Sequence, residues 1–448
     1  MKFERVKVAN FKSFDDCEVK LKDFNVVIGA NASGKSNFLQ IFRFLRDIQL
    51  HGLENAISLQ GDVEFLINNN LGASQDFLFE VEFKSNDNQY LVDVSKQENS
   101  LDLINVEINK SQYQFRFEFE SGQGISIKRI KKDQLTHEVA LNERSNSSKI
   151  NDKNFSQKTI ELTINHAINK LLISGSEILY DLILRSKSSL ILNTLGRFEA
   201  QGNISTDYFQ LEGSYEQEGL LVQTPLFWLL FRSIHEDKFD KIGIFDFDPK
   251  IPKKATPITG KIDLEEDGSN LAIVLKKILS DDENKRKFTN LLTYLLPFID
   301  SIEIEKFAGN SLIFSLKEKY AKNDKHLPSS LISDGTINII DLVVALYFDK
   351  SSVAIIEEPE RNIHPHLMSK VVRMMKEASQ NKQIIITTHN PQIVKYVDLD
   401  DILLMTRDKN GFSQISRPAD KEAIKIFLEN EIEIEELYVQ NLLDMGNN

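Results

Sequence analysis

The sequence predicts an α/β protein built around a phosphate-binding loop. Three observations carry that expectation. A glycine-rich turn lies between an apolar run and a helical pattern at 24–50, and strand alternation fills 77–130. In the last third, two apolar runs end in titratable residues.

The loop is Gly29-Ala30-Asn31-Ala32-Ser33-Gly34-Lys35-Ser36, which fits G-x-x-x-x-G-K-[ST]. Before it, Phe24-Asn25-Val26-Val27-Ile28 reads as a buried strand. After it, Phe38, Phe42, Leu45 and Ile48 stand near helical spacing within Lys35 to Leu50. Gly29 and Gly34 let the chain bend without a Cβ clash. The free N–H groups of the loop and first helical turn, through Asn37, then converge on an anion. Lys35 brings charge to the β- and γ-phosphates, and Ser36 offers a hydroxyl to Mg²⁺.

On either side of this turn the chain alternates. Val6, Val8, Val19 and Leu21 are spaced as in half-exposed strands, around the turn Asn10-Phe11-Lys12-Ser13-Phe14. Phe77, Phe79, Val81 and Phe83, then Tyr113, Phe115, Phe117 and Phe119, predict an antiparallel sheet. At strand spacing the aromatic stripe reads as core in preference to a base-stacking surface. The basic run Lys128-Arg129-Ile130-Lys131-Lys132 reads as a solvated loop, with a nucleic-acid phosphate contact as the sharper alternative. Ser145 to Asn154 reads as a connector. Apolar clusters at Ile168–Ile173, Ile178–Leu184 and Leu226–Phe231 suggest an inserted, mainly helical lobe without coiled-coil heptads.

The expected organisation is 1–134 and 241–420 as two parts of one head. The lobe spans 135–240, and an acidic helix, a solvated face or a docking helix for a partner, spans 421–448. A strand is expected at Ile242–Phe245 and another at Ser301–Ile304. Asp267-Gly268-Ser269-Asn270 should turn and cap a helix from Leu271 to Leu279.

Composition narrows the class. The net charge of −13 argues against a broadly basic nucleic-acid coat. Cys17 is the only cysteine, which excludes an intrachain disulfide and a cysteine-rich metal site. The longest apolar run, near Ile337 to Phe348, is interrupted by Asp341 and is short for a membrane span. With no apolar leader after Met1, a cytoplasmic protein is expected.

The chemistry concentrates in the last third. Ser333-Asp334-Gly335-Thr336 precedes an apolar helical run and can cap it, or offer a second anion site. Val353-Ala354-Ile355-Ile356 ends in Glu357-Glu358, at a strand end where α/β sheets bind ligands. Adjacent side chains diverge, so Glu357 can hold the Mg²⁺ shell while Glu358 accepts a proton from the attacking water. Gln383 to Thr388 ends in His389, placed to bond a γ-phosphate or its water. The pair His364-Pro365-His366 lacks a third ligand at local spacing and reads as structural or interfacial.

In that order the motifs resemble the ABC-class ATPase head: Walker A at 29–36, signature at 333–336, Walker B and catalytic acid at 353–358, switch histidine at 389. The details are similar to ATPases of bacterial anti-phage defence loci and the overcoming-lysogenization-defect group. They include Glu357-Glu358-Pro359-Glu360 with Ile363-His364-Pro365, Thr388-His389-Asn390-Pro391, and Asp267 to Leu271. The resemblance implies a head-to-head homodimer sandwiching two ATP molecules. Lys35, Ser36, Glu357, Glu358 and His389 would act within one subunit, and Ser333 and Gly335 on the partner's nucleotide. Asn362 and His364 would lie on the segment between the two sites. A glutamine contacting Mg²⁺ is implied, with Gln60 and Gln75 both open as candidates.

Glu357 stands where many ABC proteins have Asp, and Ser-Asp-Gly-Thr replaces the longer transporter signature. The related group carries a fused nuclease domain that does not follow here, so a separate nuclease or effector chain is expected, with DNA as a further possible partner. The competing readings are an SMC- or recombination-type repair ATPase, a transporter ATPase subunit, and a nucleotide-dependent scaffold with little turnover.

Overall fold

The computed structural model describes residues 1–84, 89–93, 103–122, 124–143, 157–167, 170–175, 198–200, 209–214, 220–223, 239–258, 260–321, 325–422, 424, 434–440 and 442. The chain divides into two compact units. One comprises Met1–Leu21 and Ile41–Asp240, the other Lys22–Gln40 and Lys241–Asn448.

The first unit is an antiparallel sheet of ten strands. Lys2–Phe11 pairs on one side with Phe14–Lys20 and on the other with Phe77–Lys84. The sheet continues through Leu103–Ser121, Ile125–Glu143, Gln157–Ala167, Lys170–Gly175, Phe209–Ser214 and Phe198–Ala200. Gln89–Asp93 pairs with Leu103–Ser121. The period-2 aromatic stripe faces inward: Phe77, Phe79, Phe83, Tyr113, Phe115 and Phe117 are fully buried, and Phe79 stacks on Phe115 at 5.0 Å. Strand alternation puts every second ring on the same face, so these rings form a core.

Two expectations fail here. The described parts of 135–240 contain strands where a mainly helical lobe was expected. Gln157–Ala167 is hydrogen-bonded to Ile125–Glu143, and Lys170–Gly175 to Gln157–Ala167. Short apolar runs such as Ile168–Ile173 carry no period that separates strand from helix, and the growing sheet edge decided the outcome. The clusters at Ile178–Leu184 and Leu226–Phe231, and the connector Ser145–Asn154, lie outside the described residues. The basic run is also not a loop. It lies within the Ile125–Glu143 strand, where Lys128 and Arg129 pair with Glu118, and Lys131 with Asp76 and Glu118. Arg129 and Lys128 hold the Glu118 carboxyl down to about 2.

The second unit is built on a six-stranded sheet. Its order is Ile242–Phe245, Val353–Glu357, Gln383–Thr388, Phe24–Ile28, Ile402–Arg407 and Ser413–Ser416. All neighbours are parallel except the last pair. Phe24–Ile28 is buried at every residue, as a central strand covered on both faces requires. A four-stranded antiparallel sheet adds Thr256–Pro257, Ser311–Glu318, Ile299–Phe307 and Leu327–Pro328. Helices Leu271–Leu279, Asp282–Leu295, Asp334–Tyr347 and Met368–Ala378 join their apolar faces to the sheet in one core, and the helix Lys35–His51 starts at the end of the loop that follows Phe24–Ile28.

The Asp334–Tyr347 helix is buried continuously from Thr336 to Leu346, including Asp341. Burial, and Asp267 beside it, push the Asp341 carboxyl well above its usual range. A Cβ at Gly268 would stand 3.0 Å from Asp341 Oδ1, and Gly268 has φ +78°. The Asp267–Asn270 turn therefore needs glycine twice over. Asn270 flanks the helix as expected, but its side chain braces Glu265 N and Asp263 O and leaves the helix N–H groups alone.

Candidate functional site

The parallel register brings three strand ends together. Glu357 lies opposite Thr387, and Thr387 opposite Val27. The next residues along each strand are therefore Glu358, Thr388–His389 and Ile28–Gly29. Carboxyl ends of parallel strands are where open α/β sheets bind ligands.

The phosphate loop closes tightly. Ala32 at φ +62° and Gly34 at φ +114° turn the chain, and Ser33 N bonds Ala30 O at 3.2 Å. Gly29 is glycine for space, since a Cβ there would strike Met405 O. The neighbouring edge holds the loop from behind: Arg407 Nε donates to Ala32 O at 2.9 Å, and Ser413 Oγ to Ser33 O at 2.7 Å. Lys35 Nζ folds onto the loop carbonyls, 2.7 Å from Gly29 O and 2.9 Å from Ala30 O. Burial lowers the Lys35 pKa against the pull of Glu358, Glu357 and Glu360. Ala30, Asn31 and Ser36 are exposed, and Asn37 is half-buried on the first turn.

These residues fit an anionic nucleotide: a helix N-terminus, a positive-φ turn and an ammonium meet at one place. The Ser36 hydroxyl and the half-buried Glu357 carboxylate are hard oxygen donors of the kind Mg²⁺ takes alongside phosphate oxygens and water. Among the described residues no group of three or more His, Cys, Asp or Glu is arranged to hold a metal by itself.

Glu358 has φ +44°, and its N–H bonds Thr387 O at 2.9 Å. Its Oε1 lies 2.6 Å from His389 Nδ1. Its Oε2 accepts from Arg361 at 3.3 Å, while Arg361 also reaches Asp246 Oδ1 and Phe247 O. Burial works against the Arg361 charge, but Asp246 and Glu358 outweigh it and raise its pKa.

Ser333 is exposed and caps the Asp334–Tyr347 helix by accepting from Thr336 N at 3.2 Å. Gly335 is held against Asn362, whose carbonyl oxygen a Cβ would overlap. Buried Asn338 donates to Pro359 O at 3.1 Å and Arg361 O at 2.6 Å. The Asp334–Tyr347 helix therefore carries the acidic turn on one amide. His364 and His366 face each other, Nδ1 to Nδ1 at 2.7 Å.

The Ile434–Val439 helix also reaches the loop: Leu437 is buried, and Tyr438 Oη donates to Gly29 O at 3.4 Å. Gln60 and Gln75 both belong to the first unit. Gln60 C-caps Leu53–Leu59, and the Gln75 carbonyl accepts from Asn10 Nδ2 at 2.7 Å.

Several supporting residues escaped the sequence reading. Asn338 left a trace, as the one amide in the run Ile337 to Ile340, and Arg361 follows the acids directly. Arg407, Ser413 and Tyr438 left none, because they reach the loop from distant sequence.

Loop, acids and histidine at the carboxyl ends of one parallel sheet are those of a P-loop NTPase. More particularly, the chain belongs to the family described as "AAA domain, putative AbiEii toxin, Type IV TA system", whose sequence model matches residues 24–395. A 50-residue stretch is 40% identical to Endonuclease GajA of Bacillus cereus (strain VD045), covering 11% of this chain and 9% of that protein. The chain thus matches only a small part of that relative's length.

Among solved structures, an Smc head bound to the C-terminal winged-helix domain of ScpA is 15% identical, with TM-score 0.47, over 93% of this chain and 98% of that one. The SMC head domain from Thermotoga maritima is 13% identical with TM-score 0.41, over 93% and 99%. No helix among the described residues is long and apolar enough to cross a membrane.

Proposed function

We propose that this protein is an ATP-hydrolysing switch that closes as a homodimer around Mg²⁺–ATP. In this reading Gly29 to Asn37 bind the phosphates, with Lys35 releasing Gly29 O and Ala30 O to meet them. Ser36 and Glu357 hold Mg²⁺, which supplies charge neutralisation to the transferring phosphoryl group. Glu358 accepts the proton of the attacking water, and His389 orients Glu358 and that water. Ser333 and Gly335 complete the site on the partner's nucleotide.

The observation that carries this reading is the 2.6 Å contact between Glu358 Oε1 and His389 Nδ1 at the strand ends beside the phosphate loop. Membership of a P-loop ATPase family supports it. The test is phosphate release by purified protein with Mg²⁺–ATP, with light scattering before and after nucleotide. Turnover together with an ATP-dependent doubling of mass is expected; ATP bound without turnover would leave a nucleotide-dependent scaffold.

The biological setting we infer is cytoplasmic anti-phage defence, the switch controlling a separate nuclease or effector chain. The short match to Endonuclease GajA supports it. Direct DNA sensing has thinner support, because three cations of the basic run already face Glu118 and Asp76.

A further inference from the structure

We propose that Glu360 is a positioning residue for His389, acting through Thr388; the inference rests on the hydrolytic reading above. The His389 side chain is half exposed, so core packing does not set its direction. Its direction comes from the residues on either side. Thr388 Oγ1 accepts the Asn390 N–H at 2.9 Å and donates its own proton to Glu360 Oε1 at 2.5 Å. A single buried hydroxyl thus ties the backbone before and after His389 to one carboxyl. Thr388 is 0% exposed and Glu360 7%.

The carboxyl is an expensive anchor. Among the described residues, Glu360 Oε2 is buried with no hydrogen-bond partner. Leaving such an oxygen idle is costly, and an unsatisfied buried group calls for a reason beyond packing. The reason is its place. Glu360 follows the catalytic acid by two residues and senses the charges of Glu358 and His389. It therefore fixes the acidic turn and the histidine turn to each other, so that Nδ1 meets Oε1.

A mere brace would cost stability and leave turnover alone, which separates the two roles. The variants Thr388→Val and Glu360→Leu remove the bond at similar volume, whereas Thr388→Ser and Glu360→Gln keep it. Steady-state ATP turnover is measured with melting temperature. Nitrogen NMR shifts of the His389 ring, assigned through His389→Gln, are recorded without nucleotide.

We expect Thr388→Val and Glu360→Leu to lower kcat about 10²-fold, the scale of a small misplacement of a reacting group, with KM unchanged. Their His389 ring shifts should move to those of an exposed histidine, while Thr388→Ser and Glu360→Gln remain near the parent. A lowered melting temperature with parental turnover and parental ring shifts overturns the proposal. Should the parent not hydrolyse ATP while the ring shifts still respond, the hydrolytic reading fails and the positioning role stands.

Discussion

His389 Nδ1 sits 2.6 Å from Glu358 Oε1, joining the ends of two neighbouring parallel strands. Glu358 needs φ +44° to make the approach. A non-glycine residue in that region is strained by an amount on the order of 1–3 kcal/mol, and such strain gathers at functional sites. Changing Glu358 to Gln keeps the shape and removes the base. ATP binding should survive, and turnover should fall by about 10²–10⁴-fold. Normal phosphate release by Glu358→Gln would remove Glu358 from the role of base.

Lys35 spans Gly29 O and Ala30 O and faces Glu357, Glu358 and Glu360. Lys35→Ala should weaken ATP binding by roughly 10- to 100-fold, as expected for a lost charge-assisted bond. Titration calorimetry measures this directly; an unchanged affinity would count against the loop assignment.

Gly335 leaves no room for a methyl group beneath Asn362. Gly335→Ala should therefore destabilise the second unit by about 1–3 kcal/mol through overpacking. Thermal unfolding reports it. An unchanged melting temperature would show that the Asn362 turn yields freely.

His137 is fully buried in the first unit, its Nδ1 2.8 Å from Ser111 Oγ. Burial takes its pKa down to about 3 from the ordinary imidazole value of about 6.5. Between those values the unfolded chain holds a proton that the folded protein does not. The stability contribution is thus complete above about pH 6.5 and is lost as pH falls toward 3. The slope reaches about 1.4 kcal/mol per pH unit for one proton. Urea titrations at pH 7.5, 6 and 5 should show the decline, and His137→Gln should flatten it.

The basic run gives a further expectation. Reversing Lys128 and Lys131 to Glu should leave DNA affinity unchanged at moderate salt, because both already face acids. A loss of binding in gel-shift measurements would restore the DNA contact.

Much of the local geometry around the phosphate loop was legible because its residues are adjacent in sequence and its physics is local. Gly29 to Ser36 dictate their own turn, and the apolar runs ending at Glu357 and His389 announce strand ends. Residues that act across the fold left weaker marks. Glu360 reads as one more acid, and only its bond to Thr388, 28 residues on, gives it a role. The strands in the described parts of 135–240 left no mark for a related reason: strand pairing is non-local, so an apolar run such as Lys170–Gly175 becomes a strand only because Gln157–Ala167 offers it an edge.

The Tyr438 hydroxyl rests on the Gly29 carbonyl that Lys35 also grips. The first residue of the phosphate loop is therefore gripped from two sides, by the helix that follows it and by a segment 409 residues further along the chain.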